Sequence, residues 1–308
     1  RRGCTEKNQL DMETATTLVK EEGPVRNYSW YALSLLTLIY VFNYLDRTII
    51  YILLPLIKRE MAFTDLQLAL LGSMSFVIFF TVLGIPFGRL ADRAVRKNMI
   101  AAGVAVWSLF SGLTGFANGF WSLLVCRVMV GVGEATLGPA ALSLLSDYFP
   151  PRVRATVQAI YSSGIAIGAG LAFFLGGWLG QYYGWRVAFY ALGFPGLVIA
   201  VLAYLLREEP RGKTEVASTK YTSRDWKILF KSVPLRYHYL GYGCFGLAAN
   251  NLSFWGPTFV TRVYKLDLLT IGKWGGLLTL IAGVPGTILG GYLADKFRRF
   301  GRGGRMLF

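Results

Sequence analysis

Apolar residues along this 308-residue chain fall into long unbroken runs, without the alternation of strands or the one-sided stripe of surface helices. The runs cover Trp30–Leu56, Leu68–Phe87, Met99–Phe116, Ser122–Leu145, Ala155–Leu179, Val187–Leu206, Tyr239–Val260 and Trp274–Leu293. Each approaches the roughly 20 residues that a helix needs to cross a bilayer. The pattern therefore predicts an all-α membrane protein with eight transmembrane helices. Composition agrees, with 54% hydrophobic residues, 16% charged residues and a mean hydropathy of +0.46. No cleavable signal peptide is recognisable.

The polar intervals set an orientation. With the first 29 residues placed inside, 24 of the 32 lysines and arginines fall in that tail and in the loops on its side, so the amino terminus is expected to be cytoplasmic. Tyr28, Trp30, Tyr31, Trp121, Tyr182, Tyr183 and Trp185 stand at the ends of runs, where aromatic rings anchor a helix at the interface. The net charge of +15 is thus accounted for by topology and anionic headgroups, and no nucleic-acid partner is expected. Cys4, Cys126 and Cys244 have no metal or redox spacing, and the single histidine, His238, lies at an interface and receives no role.

Two runs carry charge: Asp46 and Arg47 in the first, Arg127 and Glu134 in the fourth. A charge at the centre of a membrane helix costs roughly 2.5–3.5 kcal/mol on insertion scales, so ionisable groups there point to ion or substrate handling. Asn43, Asp46 and Arg47 have i, i+3, i+4 spacing and Arg127, Gly131 and Glu134 have i, i+4, i+7 spacing, so each set lines one face of its helix. Counted at about 1.5 Å per residue from the outer ends, Asp46 and Arg127 lie at comparable depth, and a contact between them is expected. A carboxylate that keeps an arginine stays ionised, whereas one that loses it in an apolar site takes up a proton, which would couple protons to a conformational cycle. A static bridge that merely orders the bundle is the plainer reading of the same residues.

The longest break, Arg207–Arg236, is rich in charge and reads as a linker. On either side of it the chain repeats: GRLADRAVRKNMI from Gly88 matches GYLADKFRRFGRGG from Gly291, aligning Asp92 with Asp295 at an offset of 203 residues. The expected organisation is a cytoplasmic tail (1–29), a six-helix bundle (30–206), a cytoplasmic linker (207–237) and the start of a second six-helix bundle (238–308). By symmetry the natural protein should continue through four more helices.

The segment Gly88-Arg-Leu-Ala-Asp92-Arg93-Ala-Val-Arg96-Lys97 resembles the G-x-x-x-D-R-x-G-R-[RK] signature of the major facilitator superfamily, with Val95 replacing one glycine. Arg127-Val-Met-Val-Gly131-Val-Gly133 resembles that family's fourth-helix R-x-x-x-G-x-G. Asn43-Tyr-Leu-Asp-Arg47, Gly131-Val-Gly-Glu-Ala135, Asp147-Tyr-Phe-Pro-Pro-Arg152 and Arg207-Glu-Glu-Pro-Arg-Gly212 are together similar to the Spinster-like subgroup. The first two of these strings also occur in organic anion:cation symporters.

The resemblance implies a 6+6-helix secondary transporter that moves a lysophospholipid or sphingoid lipid by alternating access, with proton coupling. A proton-coupled symporter of a small organic anion is the alternative, and a non-transporting receptor or scaffold is a more distant one. Asp46, Glu134 and Arg127 are the expected coupling residues; Asn43, Arg47, Arg127, Asn250, Asn251 and Trp255 are expected to line the cavity. Gly88, Asp92, Arg93, Arg96, Lys97, Gly291, Asp295 and Lys296 are the gating residues that the resemblance implies, although a basic loop that only sets topology would look similar. An intramembrane enzyme is not expected, since there is no H-E-x-x-H and no paired-cysteine motif. No cofactor and no metal are expected. The expected partners are the substrate, protons and membrane lipids, for a monomer in a bacterial inner (cell) membrane.

Overall fold

A computed structural model describes residues 27–212 and 232–297. The tail up to residue 26 with Cys4, the middle of the linker (213–231) and the final basic stretch (298–308) lie outside the described residues. The protein is an all-α membrane protein: α1 (Asn27–Met61), α2 (Asp65–Ala91), α3 (Arg96–Thr114), α4 (Phe120–Tyr148), α5 (Arg154–Gly193), α6 (Gly196–Tyr204), α7 (Val233–Val263) and α8 (Leu268–Phe297). Helix occupies most of every apolar run. Among the described residues, five stretches are long and apolar enough to cross a membrane: α1, α2, α4, the joined α5 and α6 (Arg154–Tyr204), and Leu268–Leu293 of α8.

The breaks have local causes. Pro139 has no N–H to offer the Ala135 carbonyl, so α4 is interrupted at Ala135–Thr136, where the Thr136 hydroxyl donates to the Gly133 carbonyl at 2.8 Å. In α5, Gly184 adopts φ +85° and ψ 163°, a conformation open to glycine alone, and one residue thereby turns the chain between the fifth and sixth apolar runs. Thr64 and Gln67 form a capping box at the start of α2, while Leu70–Met74 within it is a π-turn. Asp267 precedes α8, and the Thr270 hydroxyl and N–H hold its carboxyl below the usual carboxylate range.

Burial identifies the centre of the bundle. Six consecutive residues of α1, Ile49–Leu54, are buried, which at 100° per residue means that every side of the helix is covered. In contrast, α2 leaves Val77, Ile78, Phe79, Val82 and Ile85 exposed. α5 lies between α1 and α8 and meets both through small residues. An added Cβ at Gly164 would lie 3.1 Å from the Thr37 carbonyl of α1, and one at Gly276 of α8 would lie 2.6 Å from the Gly170 carbonyl of α5. Such surfaces let helix backbones touch and replace side-chain interdigitation.

At Gly168 an added Cβ would fall on the Val41 carbonyl and 2.9 Å from Tyr44 Cβ, whereas at Gly138 nothing lies within 4 Å. Gly168→Ala is therefore expected to destabilise the bundle by about 1–3 kcal/mol, because backbone cannot step aside as a flexible side chain would. Gly138→Ala should leave stability unchanged or slightly improved. Thermal unfolding of the two variants in the same detergent compares them directly.

Candidate functional site

The charged residues of α1 and α4 are folded against each other. Arg47 donates through Nε and Nη2 to Glu134 Oε2 at 2.9 and 2.7 Å. Its guanidinium lies 4.8 Å from the Tyr44 ring centre, 4.6 Å from that of Phe76 and 4.8 Å from that of Phe80, so three aromatic faces replace water around the cation. The Glu134 side chain is fully buried, while that of Arg47 keeps 19% exposure. An ion pair in a dry interior persists only where geometry and further contacts offset its desolvation, and the aromatic cage meets that need.

Asp46 behaves differently. Its side chain turns into α3, where Oδ1 accepts a hydrogen bond of 2.7 Å from Ser111 Oγ. The expected contact with Arg127 is made by the backbone: Arg127 Nη1 and Nη2 donate to the Asp46 and Arg47 carbonyls at 3.5 and 3.4 Å. Adjacent residues on a helix point about 100° apart, so Asp46 and Arg47 cannot both face α4. Arg47 takes that direction and the partner Glu134, leaving Asp46 with a hydroxyl. Asn43, Asp46, Arg127 and Glu134 are all buried. Asp46 Oδ2, Glu134 Oε1 and Arg127 Nε have no hydrogen-bond partner among the described residues. Buried polar atoms left in this way are costly, and they cluster where α1 and α4 meet.

The remaining candidates are spread over the molecule. Asn250 and Asn251 are exposed on α7, and each returns its side-chain N–H to the carbonyl four residues earlier, Gly246 at 2.8 Å and Leu247 at 2.9 Å. Trp255 is half-buried and packs edge-on against Phe254, 4.9 Å between centroids. At the end of the bundle that holds the basic signature, Asp92 and Arg93 are exposed, whereas Arg96 is completely buried. Arg96 donates to Asp147, to Glu208 Oε1 at 2.6 Å, to Ser143 Oγ at 3.0 Å and to the Glu209 carbonyl at 2.6 Å. Lys97 donates its N–H to Glu208 at 3.0 Å and its Nζ to the Tyr204 carbonyl at 3.1 Å. In the second copy of the signature, Gly291 packs on Ala159 of α5, Lys296 is exposed, and Asp295 falls in the last turns of α8. Gly88, its counterpart in the first copy, has nothing within 4 Å of an added Cβ.

Several partners are not evident in the sequence. Ser111 is one of many serines in apolar runs, and nothing local separates it from Ser108. Asp147 and Glu208 sit in quoted strings, yet only folding shows that both fasten Arg96. At the opposite end of the bundle, Asp65 accepts from Lys58 Nζ at 2.6 Å and from Arg262 Nη2 and Nη1 at 2.6 and 3.3 Å, which ties α1 and α2 to α7. Acidic residues among basic ones near helix ends are the only sequence signal for these contacts. No group of His, Cys, Asp and Glu among the described residues could hold a metal ion.

Known proteins resemble this chain in fold and sequence. The crystal structure of a bacterial homolog of the human lysosomal transporter Spinster, inward-facing and unoccupied, superposes with a TM-score of 0.77 at 30% identity, over 89% of this chain and 64% of that one. Protein spinster of Drosophila melanogaster is 28% identical over 86% of this chain and 46% of its own length. The hexuronate transporter of Bacillus subtilis is 30% identical over 83% of this chain and 62% of its own. The chain thus spans less than two thirds of each of these relatives. Residues 36–308 match the Major Facilitator Superfamily, a family of transporters, and the chain belongs to it.

Proposed function

We propose that this chain is the larger part of a proton-coupled secondary transporter that moves an amphipathic lipid, such as a lysophospholipid or sphingoid lipid, by alternating access. The observation that carries this reading is the division of labour between neighbouring residues of α1: Arg47 holds Glu134 inside an aromatic cage, while Asp46 is buried with a single hydroxyl partner. A carboxyl that exchanges a proton as its surroundings change is a coupling device, and a caged arginine with partial exposure is a receptor for an anionic headgroup. Tyr44, Phe76 and Phe80 give the apolar part of such a molecule a surface beside that headgroup.

Asn43, Arg47 and Arg127 are the proposed substrate-facing groups of the first half, with Trp255 and one of the adjacent Asn250 and Asn251 contributed by α7. Asp46, Glu134 and Arg127 are the proposed coupling set. Gly88, Asp92, Arg93, Arg96, Lys97, Gly291, Asp295 and Lys296 are the proposed gating set at one end, and the Lys58–Asp65–Arg262 contacts close the other. The excess of basic residues supports placing the Arg96 end and the amino terminus in the cytoplasm of a monomeric bacterial inner-membrane protein. A small organic anion is the second reading, favoured by the likeness to a hexuronate transporter and by the partly exposed Arg47 guanidinium.

Uptake by proteoliposomes separates the readings, using a protein that carries this chain with the four further helices the repeat predicts. Labelled lysophospholipid should accumulate under an imposed pH gradient, and Asp46→Asn should reduce accumulation to the level without a gradient while sparing counterflow. Gradient-driven accumulation by Asp46→Asn equal to that of the parent removes Asp46 as the coupling residue, and accumulation of hexuronate alone moves the substrate to the anion class. For the second gate, Asp65→Asn and Arg262→Gln should each shift the population toward the state open at that end by roughly two- to fivefold, as befits an exposed pair. The double variant should shift it no further than either single one, because both remove the same contact. Distances between spin labels on α1 and α7 report the shift.

A further inference from the structure

The end of the bundle opposite the Arg96 cluster contains a small cavity that the proposed transport site does not use. It measures about 190 Å³ and lies between Leu54 and Lys58 of α1, Leu68 of α2, and Thr258, Thr261 and Arg262 of α7. Spacing along the helices explains its walls. Leu54 and Lys58 stand four residues apart, and Thr258, Thr261 and Arg262 have i, i+3, i+4 spacing, so α1 and α7 each turn one face to the same space. At roughly 30 Å³ per water the cavity holds about six waters. It is smaller than the roughly 300–1,000 Å³ of a site for a drug-sized molecule, and a lysolipid does not fit.

Charge at the cavity selects the occupant. Two of its lining residues are cations, Lys58 and Arg262, and a single carboxylate compensates them. Asp65 Oδ1 accepts from Lys58 Nζ and from Arg262 Nη2, both at 2.6 Å, so one oxygen serves both cations. Glu60, two residues beyond Lys58, is already committed to Trp185 Nε1 and Arg186. The cluster therefore keeps an excess of positive charge, and Lys58 brings three N–H donors of which Asp65 takes one. Thr261 returns its hydroxyl to the Pro257 carbonyl at 2.8 Å, but the Thr258 hydroxyl is buried without a partner among the described residues. Turning that side chain toward an acceptor in the cavity would remove the cost.

We propose that this cavity binds a small carboxylate monoanion between Lys58 and Arg262. The Asp65 carboxylate shows that the Lys58 ammonium and the Arg262 guanidinium stand close enough to share one oxygen, and a guanidinium fork suits a planar carboxylate better than a spherical halide. Two cations less one carboxylate leave a single positive charge, which matches a monoanion. Lys58 belongs to the first bundle and Arg262 to the start of the second, so the bound anion ties α1 to α7 and holds this end closed. That consequence rests on the gating reading above; binding itself does not.

Formate titrated in place of chloride at constant ionic strength tests the inference, on a protein that carries this chain with the four further helices. Formate stays out of detergent micelles, and saturation-transfer NMR reads its binding directly. The parent should bind it saturably over the chloride background. Lys58→Gln and Arg262→Gln should each weaken binding about tenfold, as the loss of a charge-assisted hydrogen bond does. Thr261→Met, which fills the cavity beside intact cations, should abolish it. Asp65→Asn keeps both cations and loses the competing carboxylate, so it should bind formate at least as tightly as the parent. A response that does not saturate, or one that the glutamine variants or Thr261→Met leave unchanged, means a general salt effect and overturns the site. Loss of binding in Asp65→Asn as complete as in Arg262→Gln means that binding follows closure of this end and not the cations, which overturns it as well. The charge variants alter exposed or half-exposed side chains, so the result is readable even if Thr261→Met is unstable. Formate binding without proton-driven uptake would remove only the transport reading, and proton-driven uptake without formate binding would remove only this inference.

Discussion

A bilayer interior has no water to hold a charge, so Arg47 and Glu134 can stay there only as partners, and their pairing dictates what surrounds them. α1 and α4 must run side by side at that depth. The fourth-helix glycines make the remaining approach possible: a Cβ at Gly131 would lie 3.0 Å from the Phe76 carbonyl of α2, and one at Gly133 would lie 2.7 Å from the Trp107 N–H nitrogen of α3. Gly131 thus brings the Phe76 and Phe80 rings close enough to cage Arg47, and Gly133 brings α3 close enough for Ser111 to reach Asp46. The string Arg127-x-x-x-Gly131-x-Gly133 is, physically, one arginine and two places where neighbouring backbones close on α4.

The ends of the bundle are held by contacts of different durability. Arg96 is enclosed, with two carboxylates, a hydroxyl and a carbonyl around one guanidinium, and removing any acidic partner would leave charge stranded in a dry site. The Asp65 cluster is half in water, where solvent can replace each lost hydrogen bond at little cost. One end is therefore fastened and the other yields easily. The Arg96 knot draws the chain after α6 back onto α3 and α4, since Glu208, the Glu209 carbonyl and the Gly212 N–H all take part. The chain from Glu208 to Gly212 is consequently held against α3 and α4.

The apolar runs, the all-α class and the family were legible from residues alone, because burial in lipid forces every spanning segment to declare itself by hydropathy. The charged cluster was legible for the same reason: four ionisable residues stand out against an apolar background. Their pairing was not. Spacing placed Asp46 and Arg47 on one face, yet the 100° between neighbours was enough to send one to Ser111 and the other to Glu134. The asparagines of α7 show a related limit, since an amide in an apolar helix can satisfy itself on its own backbone, as Asn250 and Asn251 do. Arg96 lay beyond sequence reasoning in another way. It belongs to a recognisable motif, but its partners come from residues 143 to 209, and only the closing of α3 against α4 and the end of α6 brings them together.

The placement of glycine decides how such a bundle can move. α5 touches α8 through Gly170, Gly177, Gly272, Gly276 and Gly283: backbone lies first against the Cβ positions of Gly177, Gly272 and Gly276, Ala166 against that of Gly283, and the Leu280 side chain of α8 against that of Gly170. Of these five contacts, only the one at Gly170 seats a long side chain that sliding α8 along α5 would have to move. On its other side α5 meets α1, which carries Arg47, and there Gly168, Gly176 and Gly180 receive the side chains of Tyr44, Ile49, Ile52 and Leu53. Both contacts include backbone approaches, and the second seats more long side chains than the first. Displacement of α8 therefore meets less resistance than displacement of α1, and neither Arg47 nor Glu134 lies on the moving surface. The ion pair lies outside the α5–α8 contact, and α1 meets α5 through these glycines and α7 through Tyr51 and Phe254.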